Sequence, residues 1–232
     1  MYNQLAAHYS KIFPLNKSLL YFIQEEAELG CAILDLGCGT GELCHALAQE
    51  GYGCSGIDTD SEMIKIAKSA GAAAEFEVMD ITNLEELQQS FNLIISTGNV
   101  MSHIVQSEFQ KILESIWQLL LPGGKWVYQI VNWDKYIHSN YEFPILLRDN
   151  NTLAFYRAYA GDTDKVVFTI RLEKDGEEVY TGQSDLFPAS IESHMQKNRD
   201  AGFISNGLYR DWEYGEFNGD SDNGVILVME KK

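Results

Sequence analysis

Along the first 131 residues of this 232-residue chain, short apolar runs alternate with longer amphipathic stretches. The apolar runs are "AILDLG" (32–37), "GCSGID" (53–58), "AEFEVMD" (74–80), "FNLIISTG" (91–98) and "KWVYQIV" (125–131). These segments predict five strands, and "AILDLG", nearly continuous in apolar residues, reads as a buried parallel one. Between them lie segments with apolar residues at helical spacing. In "GELCHALAQEG", Leu43, Leu47 and Ala48 share a face and Gly51 follows the end. In "SEMIKIAKSAG", Met63, Ile64 and Ala67 point inward and Ser61 is placed to cap. "NLEELQQS" predicts a short helix. The segment 106–121, with Phe109, Ile112, Leu113, Ile116, Leu119 and Leu120 in register, predicts a long one stopped by Pro122-Gly123-Gly124. Ahead of all these, residues 1–30 read as mostly helical, ending at Gly30. Strand alternating with helix implies an α/β fold, a parallel sheet with helices on both faces.

After Val131 the rhythm changes. "TLAFYRAYA", "KVVFTIRLE" and "EEVYTGQSDLF" are β-like, and a Lys-Asp-Gly-Glu turn at 174–177 joins the last two. This predicts an antiparallel insertion over 132–188, rich in aromatics (Trp133, Tyr136, Tyr141, Phe143, Phe155, Tyr156, Tyr159) that either form its own core or line a pocket. A helix, "IESHMQKNRDAGF", and two strands, "ISNGLYRDWEY" and "GVILVMEKK", follow, the strands flanking an acidic loop at 215–223. The main domain is thus 1–131 with 189–232, and the insertion is the segment to select substrate.

Charge narrows the partners. The formal net charge is −17, without a Lys/Arg block, which argues against nucleic acid and suits a cationic or neutral small ligand. No apolar stretch is long enough for a membrane span, and the first residues lack the pattern of a secretory leader, so a cytoplasmic protein is expected. Cys31, Cys38, Cys44 and Cys54 have no CxxC spacing and read as small buried residues in a reducing compartment; no metal site is expected.

The candidate chemistry begins at "ILDLGCGTGEL" (33–43), where three glycines fall in five positions after an apolar run. Such a turn bares backbone to a ligand at the strand ends, or it packs the helix tightly on the sheet. Asp58, 21 residues after Gly37, is placed to accept bonds from both ribose hydroxyls. Asp60 reads as a cap or a solvated group. Asp80 closes the third strand, to take an adenine amino group or to cap the next turn. The spacing is GxGxG followed by Glu42, not GxGxxG. A carboxylate in the first helical turn opposes a pyrophosphate, so an adenosine ligand without phosphate is favoured, such as S-adenosylmethionine.

These residues resemble the class I S-adenosylmethionine-dependent methyltransferases. "ILDLGCGTGEL", "GIDTD", "VMDI" and "LLLPGGKWVYQI" are similar to that family's successive motifs. The resemblance implies a Rossmann-like seven-stranded sheet of order 3-2-1-4-5-7-6 with the last strand antiparallel. It implies cofactor contacts from Asp35, Gly37, Cys38, Gly39, Asp58, Thr59, Met63, Asp80, Ile81, Thr97 and Gly98. The N-terminal "YNQLAAHYSKIF" resembles the family's lid, with Tyr2 and Tyr9 on one face and Tyr9 near the methionine end. "STGNVMSHI" (96–104) is similar to the glycine and sarcosine N-methyltransferase branch, which implies Asn99 and His103 at the reacting centre. That branch grips a substrate carboxylate with an arginine just after strand five. Val131 stands there, and Arg148 and Arg157 in the insertion are possible substitutes. The implied activity is methyl transfer to a small-molecule amine or hydroxyl, by a monomer or homodimer. A cofactor-binding protein without activity and an NAD-dependent oxidoreductase are the alternatives.

Overall fold

The computed structural model describes residues 5–136, 140–161 and 163–232. Two helices, α1 (Ala6–Ile12) and α2 (Lys17–Glu26), precede β1 (Ala32–Leu36). Then come α3 (Glu42–Gln49), β2 (Gly53–Asp58), α4 (Ser61–Ser69), β3 (Glu75–Val78), β4 (Phe91–Ser96), α5 (Gln106–Leu119) and β5 (Leu120–Val131). The insertion contains α6 (Trp133–Tyr136), β6 (Tyr141–Glu142), β7 (Leu146–Arg148), β8 (Leu153–Gly161), β9 (Val166–Lys174) and β10 (Glu177–Leu186). The chain closes with α7 (Ile191–Asp200), β11 (Ile204–Tyr209) and β12 (Gly224–Glu230).

The large sheet runs β11-β12-β5-β4-β1-β2-β3. Counting its seven strands along the chain, from the other edge, this is the expected order 3-2-1-4-5-7-6. β12 is antiparallel to β5 and β11; the remaining neighbours are parallel. Both faces are covered because successive side chains point to opposite sides of a strand. Leu34, Ile94, Trp126 and Leu227 pack on one face with Phe109, Ile112 and Ile116 of α5. Ile33, Leu93, Ile95, Val127 and Val228 pack on the other with Phe22 of α2, Leu47 of α3 and Ile64 of α4.

Several boundaries differ from the sequence reading. Asp60, not Ser61, caps α4, accepting from the amides of Glu62 at 3.0 Å and Met63 at 3.3 Å. The expected helix at 83–90 is a 3-10 segment, Ile81–Glu86, which begins at Asp80 and ends before the glutamines. α5 stops at Leu119, and Pro122-Gly123-Gly124 form an irregularity inside β5. There Gly123 donates to the Lys231 carbonyl at 2.7 Å and Lys231 returns a bond to Gly124 at 2.9 Å. β11 ends at Tyr209, because the Arg210 amide bonds back to the Gly215 carbonyl and folds 210–214 into a turn. α6, β6 and β7 were not anticipated; two are strands of two and three residues, too short for a periodicity.

The insertion forms a second, antiparallel sheet, β10-β9-β8-β6, with β7 also paired to β8. Its inner face shares a core with α1: Leu5 and Ile12 pack against Leu153, Phe155, Ile170 and Leu172. Arg148 ties the end of α1 down, its Nε donating to the Ile12 carbonyl at 3.1 Å. Lys11 pairs with Asp149 at 2.8 Å. The N-terminal helix and the inserted sheet therefore form one cover over the carboxyl ends of the large sheet's strands. Tyr2 lies outside the described residues.

Candidate functional site

The turn after β1 is built from three left-handed glycines, Gly37, Gly39 and Gly41, with φ of +79°, +55° and +79°. A side chain there would be strained, and at two of the three it would also collide. A Cβ on Gly37 would meet Val100 at 2.5 Å, and one on Gly41 would meet Phe76 at 2.6 Å. These two positions admit neighbouring side chains of the protein. A Cβ on Gly39 would meet the ring of Tyr9 at 3.3 Å, so the backbone of this residue faces the lid across a gap. The turn is held against β2 by the amides of Gly37 and Cys38, which both donate to the Ile57 carbonyl, at 2.8 and 3.0 Å.

Two carboxylates flank the turn. Asp58, at the end of β2, accepts from the Gly39 amide at 3.0 Å through one oxygen and from the Asp60 amide at 2.9 Å through the other. Its orientation is thereby fixed, while each oxygen keeps a further lone pair. Burial raises its pKa, and the amide bonds pull the other way. Asp35, in β1, is 3% exposed. One oxygen accepts a weak bond from the Cys44 thiol at 3.8 Å; the other is buried with no partner. Burial, with the nearby charge of Asp58, pushes Asp35 up to about 7. Such an orphan acceptor suits a ligand that brings a cation or a donor.

All fourteen residues anticipated from the sequence lie on the wall of one cavity of about 970 Å³. Tyr9 comes from α1; Asp35, Gly37, Cys38 and Gly39 from β1 and its turn; Asp58, Thr59 and Met63 from β2 and α4. Asp80 and Ile81 come from the end of β3, and Thr97, Gly98, Asn99 and His103 from the segment after β4. Asp80 caps the turn that follows, accepting from the Thr82 amide at 2.8 Å. Asn99 is itself left-handed, at φ +67°. Its amide oxygen is already engaged, by the Val131 amide at 2.9 Å and the Ser102 hydroxyl at 2.6 Å. His103 is half-buried, which lowers its pKa and keeps the ring neutral at pH 7. Its Nδ1 lies 3.2 Å from the Ser184 hydroxyl of β10.

Glu42, at the first position of α3, also faces the cavity. Its carboxylate receives the Thr40 hydroxyl at 2.7 Å and a short bond from the Ser10 hydroxyl of α1. A pyrophosphate on this helix end would confront that charge.

The sequence reading missed several wall residues. Gln129 accepts from the Gly98 amide at 2.9 Å; as the lone amide side chain within an apolar strand, it carried a signal. Ser184 alternates with Tyr180 and Leu186 on the inner face of β10, which marks its direction but not its use. Arg210, Asp211 and Trp212 reach the cavity only because β11 ends early, and nothing local announces that. Among the insertion's aromatics, Phe143, Phe155, Tyr159 and Phe168 line the cavity. Trp133, Tyr136 and Tyr141 pack together in the insertion's own core.

Residues 33–124 match the family model described as a methyltransferase domain. A ubiquinone biosynthesis O-methyltransferase of Coxiella burnetii (strain RSA 493 / Nine Mile phase I) is 29% identical over 123 residues, 51% of each chain. The chain spans about half the length of the curated relatives it matches. Among solved structures, the CcbJ methyltransferase from Streptomyces caelestis superposes with a TM-score of 0.85 at 18% identity, covering 99% of this chain and 96% of that one. An S-adenosylmethionine-dependent methyltransferase from Clostridium acetobutylicum ATCC 824 gives 0.81 at 18% identity, covering 99% and 98%. These structures share the fold over nearly the whole chain, the inserted sheet included.

Proposed function

We propose that this protein is an S-adenosylmethionine-dependent methyltransferase acting on a small-molecule amine or hydroxyl. The observation that carries the reading is Asp35: a buried carboxylate with one unpartnered oxygen, on the wall of a cavity that opens over a glycine turn. The residues fit the cofactor. Asp58 has lone pairs for two ribose hydroxyls, and Gly39 leaves bare backbone beside them. Asp80 and Ile81 are available to an adenine edge and face. Asp35 and Tyr9 serve the amino-acid end. Glu42 disfavours a dinucleotide, and with it the oxidoreductase alternative.

When bound, the cofactor supplies an electrophilic methyl group on a sulfonium. The chain's own work is alignment and exclusion of water. Asn99 holds the segment after β4 against β5, which fixes the floor on which the acceptor rests. His103, neutral through burial, takes a proton from a hydroxyl acceptor; an amine acceptor loses its proton before attack and needs no base. The inserted sheet selects the acceptor through the side chains it adds to the wall.

Titration calorimetry tests the reading directly. S-adenosylhomocysteine should bind with one site per chain, and NAD should not. Methyl transfer to a panel of amines and hydroxyls then separates an enzyme from a binding protein. A chain that ignores the nucleoside refutes the proposal.

A further inference from the structure

Four of the five arginines have protein acceptors. Arg148 bonds the Ile12 carbonyl, Arg171 pairs with Glu173 at 2.6 Å, Arg199 with Glu192 at 2.7 Å and Arg210 with Asp211 at 3.0 Å. Arg157 does not. It lies in β8, where Leu153, Phe155 and Tyr159 alternate with it on the inner face, and it lines the cavity. Its Nε is buried without a partner. Among the described residues no carboxylate lies within ion-pairing distance of it. Its guanidinium sits 4.7 Å from the centre of the Phe143 ring. That ring covers one face of the plane and leaves the N–H fork free.

A half-buried cation with an unsatisfied donor is costly unless something supplies the missing charge. The large-sheet side of the same wall carries the carboxyl groups of Asp35, Asp58 and Glu42, which suit a cationic cofactor. The cavity is thus polarised: the other arginine on its wall, Arg210, is paired with Asp211, whereas Arg157 in the aromatic cap has no carboxylate partner among the described residues. We propose that Arg157 is an oxyanion subsite, and that the methyl acceptor carries a carboxylate or phosphate on an apolar body lying along Phe143, Phe155 and Tyr159. This rests on the methyltransferase reading and deepens it. Arg148 is committed to the end of α1, so Arg157 is the arginine that the inserted sheet presents to the cavity.

The test titrates the protein, saturated with S-adenosylhomocysteine, with a matched series: 3-phenylpropanoate, 3-phenylpropyl phosphate and 3-phenylpropanamide. An acid should bind at least about tenfold more tightly than the amide, as a charge-assisted bidentate pair implies. The tighter of the two acids identifies the oxyanion. R157Q should abolish the ratio; R157K, which keeps the charge but loses the fork, should reduce it several-fold and serves if R157Q does not fold. S-adenosylhomocysteine affinity, measured on the same samples, should stay within about twofold. An acid-to-amide ratio near one, no acid bound by nucleoside-loaded protein, or a ratio unchanged in the variants overturns the subsite alone. Failure to bind the nucleoside at all overturns the methyltransferase reading instead.

Discussion

Asp58 and Asp35 are both buried acids, yet they differ in what their oxygens do. Asp58 is fixed by two backbone amides, so removing it costs both a ligand contact and local order. Asp58→Ala should weaken S-adenosylhomocysteine binding by about 1–3 kcal/mol in calorimetry, the range for charged hydrogen bonds. Asp35 titrates where enzymes work. Its folded pKa of about 7 exceeds the ordinary 3.8, so the folded state holds a proton that the unfolded state has released. The stability this contributes is complete below about pH 4 and is lost as pH rises through 7. The ligand-free protein should therefore melt at lower temperature at pH 8 than at pH 5, and Asp35→Asn should flatten that dependence. A ligand ammonium at Asp35 would favour the ionised form, so nucleoside binding near pH 7 should release a proton. Calorimetry in buffers of different ionisation enthalpy reads that release, and Asp35→Asn should remove it.

Elements of the large sheet were legible because its central strands β1, β4 and β12 are nearly continuous apolar runs and the helices between strands carry apolar stripes, against which the edge strands β3 and β11 could be placed. The glycine turn and the acids at successive strand ends were legible for the same reason: their positions follow from where β1, β2 and β3 stop. Partnerships made across the chain were not. Nothing around Arg148 announces that it caps α1 from 136 residues away, nor does Ser184 disclose His103. Nor does the turn's sequence say which neighbours its glycines admit: a Cβ on Gly37 would strike Val100 and one on Gly41 would strike Phe76. The joint between α1 and the inserted sheet is itself testable. Phe155 is 1% exposed and sits in their common core. Phe155→Ala should cost about 3–5 kcal/mol, as large-to-small core changes do. Limited proteolysis in the 13–16 linker should accelerate more than cleavage within the large sheet.

For the molecule as a whole, the net charge of −17 sets a background that every ligand meets. Self-repulsion among so many acids destabilises the compact state, so raising salt from about 20 to about 200 mM should raise the melting temperature. The same screening should weaken S-adenosylmethionine, a net cation, more than the neutral S-adenosylhomocysteine; comparing the two salt slopes checks this. Leu5, which caps α1, and Ile12 at its end are packed into the inserted sheet, while Tyr9 of the same helix faces the glycine turn. Under the proposed function, one packed unit, α1 with the inserted sheet, roofs both the nucleoside and the acceptor. Any displacement of α1 would then uncover apolar surface over the acceptor as well as the glycine turn, which ties the two occupancies to one joint.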